Sequence, residues 1–189
     1  MKTTEMNTIN NTQAAEVAAK EAAAKAAKEK EILDAVQKGN VLDMMKDVEE
    51  GIASFVTDDN DNIVGFGYHA HAKGMNAVKQ VGSTLTVGTN EEERQQDEFD
   101  VKVFTKKYGS LMEGAEIMKI AVMLINAGLK PDKEIDHNGN RYFIIVESKK
   151  VIDQRGNTKV DLSEDETIVG ASDKLVLRLL ETELEKLLK

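Results

Sequence analysis

Apolar positions are densest between Ser110 and Gly128, in the stretch SLMEGAEIMKIAVMLINAG. Leu111, Ala115, Met118, Val122 and Ile125 recur at helical spacing, and Ile117, Ile120, Ala121 and Leu124 widen that face. Only Glu113, Glu116, Lys119 and Asn126 form a polar stripe, so the pattern predicts a helix buried on most sides. Ser110 with Glu113 three residues on has capping-box spacing. Gly128 supplies a left-handed C′ residue, and Pro131 blocks continuation. The charges at Glu116 and Lys119 leave the apolar run too short for a bilayer.

The rest of the chain is read around this helix. Residues 1–11 are polar and predict a disordered tail. From Thr12 to Lys38 the pattern is helical: alanine, the best helix former, fills Ala14 to Ala27. Glu16–Lys20, Glu21–Lys25 and Asp34–Lys38 are i,i+4 pairs in the favoured orientation. Larger apolar side chains come only at Val17, Ile32, Leu33 and Val36, which suits an arm or spacer anchored at its C-terminal end. A closely packed alanine-faced helix is the other reading. Val41 to Glu50 reads as a second helix, with Leu42, Met45 and Val48 inward. Residues 12–51 then form a helical arm and αα-hairpin, followed by a domain over 52–189.

Within 52–189 the period shifts towards two. Ile52–Thr57 and Ile63–Ala72 read as strands about an Asp/Asn loop at 58–62. Leu85–Gly88 and Phe99–Thr105 read as two more, joined by an exposed acidic loop, Asn90 to Asp100. Asn138-Gly139 marks a two-residue hairpin turn, which sets Asp136 opposite Arg141 and Ile135 opposite Tyr142. Tyr142–Val146 reads as a central strand, and Arg155-Gly156-Asn157 turns the chain into Thr158–Leu162. Ser163–Ala171 connects, with one helical turn capped by Ser163 and Glu166. Ser172–Lys189 is an amphipathic helix. The fold class is α+β: one mixed or antiparallel sheet of about five to eight strands, packed on the helix at 110–128.

Composition narrows the chemistry. The 189 residues include no cysteine, which removes disulfides, thiolate catalysis and cysteine-based zinc sites. No signal peptide or membrane span shows, so a cytoplasmic location is expected. The net charge of −9 disfavours a general nucleic-acid coat. One proline, no tryptophan and 4% aromatic residues argue against an aromatic-lined ligand groove.

Four constellations are candidates. His69 and His71, two apart on a strand, would share one face and could chelate a divalent metal, given a third ligand that no spacing specifies. Asp58 to Asn62 resembles the start of a calcium loop, but Ile63 stands where glycine is needed and His69 where a glutamate is needed, so a polar turn is the reading. Arg141, Lys149, Lys150 and Arg155, with Lys159 and with Lys102, Lys106 and Lys107, could form a basic side for nucleic acid, with Tyr142 and Phe143 for stacking. Leu177, Leu180, Leu184 and Leu187 hold a heptad-like seam that would serve either self-association or docking on the sheet.

No nucleotide-binding glycine pattern, hydrolase elbow or metalloprotease motif occurs. The leading expectation is a non-enzymatic interaction or assembly protein, oligomeric, working through its arm and its terminal helix. The alternatives are a metal-dependent protein using His69 and His71, and a nucleic-acid accessory protein. In composition the chain is similar to small phage-encoded or mobile-element proteins, which would place it in a host cytoplasm or a virion. That likeness carries no residue roles.

Overall fold

Helix propagation takes the first element beyond the alanine-rich segment that seeds it. The computed structural model describes residues 2–57, 59–60, 63–68 and 91–189. In it α1 spans Lys2–Ala35, so the helix starts well before Thr12 and stops three residues short of Lys38. Once a helix is nucleated, each further residue adds a hydrogen bond at little cost, which is how a polar flank joins it. The chain divides into two units, Met1–Gln37 and Lys38–Lys189. In the first, every residue from Thr12 to Lys28 is exposed, while Ile32, Leu33 and Val36 are half-buried.

The second unit opens with α2 (Val41–Glu49). Its cap is reciprocal: the Asp43 backbone N–H donates to Asn40 Oδ1 at 3.0 Å, and the Asn40 N–H donates to Asp43 Oδ2 at 2.8 Å. The buried residues are Val41, Met44 and Asp47. The inward stripe is thus one residue earlier than Leu42, Met45 and Val48, which are half-buried. β1 (Ala53–Thr57) and β2 (Ile63–Tyr68) pair antiparallel with Phe55 opposite Phe66, and the register shifts between Val56 and Thr57.

Phe99–Thr105 is not a strand. It lies inside α3 (Glu91–Tyr108), and the acidic run expected as a loop is the first half of that helix. Phe99, Val103, Phe104 and Tyr108, at i, i+4, i+5 and i+9, are all buried on one side. The rings of Phe66, Phe104 and Tyr108 meet in tilted and edge-on contacts, with centroids 5.3–6.2 Å apart, and so bind the hairpin to α3. Leu85–Gly88 lies outside the described residues.

α4 (Leu111–Asn126) is the helix that the apolar pattern marks, with the Ser110–Glu113 capping box formed. At its other end Gly128 has φ 68°. The Leu129 N–H donates to the Leu124 carbonyl and the Gly128 N–H to the Ile125 carbonyl, the paired bonds of a Schellman motif. Gly114, Ala115, Ile117, Met118, Ile120, Ala121 and Leu124 are buried, whereas Ile125, in the last turn, is exposed. α4 packs on α2 and α3.

The second sheet is a meander of β3 (Lys133–His137), β4 (Asn140–Ile145), β5 (Lys150–Asp153) and β6 (Thr158–Asp161), in that spatial order. Ile135 lies opposite Tyr142 and Asp136 opposite Arg141, the register set by the Asn138-Gly139 turn. The described strands therefore form two antiparallel sheets, of two and four strands, rather than one larger sheet. Residues 99–105, expected as one strand of a joint sheet, are part of α3 instead. Ile144, Val146, Val151 and Val160 turn one face to Val176, Leu180 and Leu184 of α5 (Asp173–Leu187). Phe143, Ile145 and Ile152 are buried on the opposite face. The short 3₁₀ turn Glu166–Ile168 is capped by Asp165, not Ser163. Among the described residues, no helix is long and apolar enough to cross a membrane.

Candidate functional site

The exposed length of α1 is the first candidate surface. Its alanines at 15, 19, 22 and 26 alternate in steps of four and three, so they share one face. All four are exposed, as is Val17 at 56%.

The terminal leucines are divided. Leu180 is fully buried and Leu184 is 1% exposed, both in the core shared with the sheet. Leu177 is partly buried against that core, and Leu187 is 62% exposed. Leu180 and Leu184 belong to the buried stripe Val176, Leu180, Leu184, spaced by four residues, so these two of the four leucines dock on the sheet.

The meander separates the basic residues. Arg141 and Arg155 lie towards the sheet end that holds the Asn138-Gly139 turn, while Lys149 and Lys150 lie at the β4–β5 turn, the other end. Several are engaged with acids. Arg141 Nη1 meets Glu134 Oε1 at 2.8 Å, Lys150 meets Asp161 at 3.2 Å and Lys159 meets Asp153 at 3.3 Å. Lys107 is drawn inward to Asp47 at 2.5 Å, tying α3 to α2. Lys102 and Lys106 are exposed on α3.

Glu134 was not singled out by the sequence. Its side chain is 3% exposed and has two partners: the Arg141 guanidinium, and the Leu42 N–H at the start of α2, which donates to Oε2 at 3.2 Å. A carboxylate at a helix N-terminus is favoured by the orphan N–H groups and the dipole. Glu134 and Asp136 share a strand face, so either could reach Arg141. The shorter Asp136 instead accepts the Gly139 N–H and closes the turn.

Two carboxylates of the β5–β6 region are held below their ordinary range. Asp161 is pulled down to about 2, first by the Ser163 hydroxyl donating to Oδ1, then by the Ser163 N–H, with Lys150 adding to both. For Asp153 partial burial works upward. The Asn157 backbone and side-chain N–H groups, the Arg155 N–H and Lys159 outweigh it and lower the pKa.

A half-open cleft of about 340 Å³ lies between the last turn of α5 and the sheet, lined by Tyr142, Thr158, Lys159, Leu184, Leu187 and Leu188. His69 and His71 lie outside the described residues, as do Asp58, Asp61 and Asn62 of the polar loop. Among the described residues, no group of three or more His, Asp or Glu could hold a metal ion. No protein-family model, curated protein or solved structure matches the chain.

Proposed function

We propose that the protein is a non-enzymatic interaction and assembly protein, with α1 as the element it offers to a second copy of itself. One observation carries this reading: a helix of 34 residues forms its own unit, and its described residues from Thr12 to Lys28 are all exposed. Most helices owe their stability to a buried face. This one rests instead on alanine propensity and i,i+4 charge pairs, and is about 50 Å long at 1.5 Å per residue. The face of Ala15, Ala19, Ala22 and Ala26 lets a second backbone approach closely. Glu16 and Lys25, on the two flanks of that face, can pair across such a contact.

The test is light scattering on the full chain and on residues 38–189. The proposal expects an oligomer from the first and a monomer from the second. A full-length monomer across micromolar concentrations would falsify it. Removing α5 is the wrong experiment, because Val176, Leu180 and Leu184 belong to the core.

A further inference from the structure

We propose that the cleft between α5 and the four-stranded sheet is a binding site for a small amphiphile, an apolar chain ending in a carboxylate. The volume, about 340 Å³, falls in the range of small-ligand pockets. The lining has two chemical halves. Leu184, Leu187 and Leu188 of the last turns of α5 make an apolar wall, and Leu187 faces solvent at 62% exposure although it borders a concavity. Tyr142, Thr158 and Lys159 supply the polar half from β4 and β6. Each of these three can donate a hydrogen bond, and none of the six lining residues is acidic. A head group rich in acceptors matches that set, and an ammonium donor makes a carboxylate the best match.

Lys159 is also positioned. Its Nζ lies 3.3 Å from Asp153, a carboxylate that accepts from the backbone N–H groups of Arg155 and Asn157 and from Asn157 Nδ2. Of the three ammonium protons one is directed to Asp153, which leaves two for a ligand. The orphan carbonyls at the C-terminus of α5 carry the opposite sign on the helical wall. The head is therefore expected beside β6, with the tail along the leucines.

This site lies wholly in residues 38–189, so its failure would leave the reading of α1 untouched. The test is an NMR titration of the full chain with octanoate and, in parallel, octanol. The proposal expects saturable shifts confined to Tyr142, Thr158, Lys159 and the 184–188 turn, with octanoate the tighter of the two. Lys159→Gln should weaken octanoate about tenfold, the loss of one charge-assisted bond, and leave octanol unchanged. Leu187→Asp should weaken both, and because Leu187 is exposed the fold should survive; an unchanged amide spectrum away from the cleft verifies that. Equal affinity for octanol and octanoate overturns the assignment of the head group. Shifts that do not saturate, or that persist in Leu187→Asp, overturn the site.

Discussion

At Gly114 a methyl group has no room. A Cβ built there would sit 2.1 Å from Phe104 Cε1, and the Phe104 ring is fully buried between α3 and α4. Replacing a helical glycine by alanine ordinarily gains about 1 kcal/mol. Here overpacking of a closed core should prevail, and Gly114→Ala is expected to lose about 1–3 kcal/mol in urea unfolding. Asp161 offers a residue-scale test of a different kind. Its pKa is depressed to about 2, so the stabilisation its hydrogen bonds supply is present above the unfolded carboxylate range. That stabilisation disappears as pH falls from about 4 through about 2. Ser163→Ala removes the leading cause. A carbon-detected NMR titration should then show the Asp161 carboxyl titrating closer to the ordinary aspartate value of 3.8.

Among the elements, α5 separates the two uses of a leucine-rich helix. Leu184→Ala should cost about 2–5 kcal/mol, since the side chain is almost wholly enclosed. Leu187→Ala should stay within about 0.5 kcal/mol of the parent, since its side chain is largely in solvent. Thermal denaturation of the two variants checks both. The elements whose ends are written in local chemistry were legible in advance. Ser110 and Glu113, Gly128, and Asn138-Gly139 each fix a terminus or a register through backbone groups within a few residues. α3 was not legible, because Val101, Val103, Phe104 and Thr105 all favour strands and alternate with lysine over a short window. The competing signal was the spacing of Phe99, Val103, Phe104 and Tyr108, which emerges only when the window extends past Thr105 to Tyr108. The ion pair of Glu134 with Arg141 was hidden for another reason. The register places Arg141 opposite Asp136, and only the packing of α2 onto β3 shows which acid is enclosed.

For the whole molecule, the division at Gln37 and Lys38 makes two independent predictions. A peptide of residues 2–37 should be substantially helical by circular dichroism at low temperature and melt broadly, as local helix energetics require. Residues 38–189 should keep a cooperative thermal transition, because the described core residues all belong to that unit. A truncated protein lacking that transition would show that the body depends on its arm.

The turn between β3 and β4 has a chemical consequence as well. Asn-Gly is the sequence most prone to spontaneous deamidation, in which the glycine nitrogen attacks the asparagine side chain and closes a succinimide. In the folded hairpin the Gly139 N–H is held by Asp136 Oδ1 at 3.1 Å, and Asn138 is fixed at φ 54°. The Gly139 N–H is thus held in the turn by a hydrogen bond that has to be released before the nitrogen can move onto the Asn138 side chain. Isoaspartate at position 138 should therefore accumulate in proportion to the fraction of time this hairpin is open, and its mass-spectrometric signature would report how large that open population is.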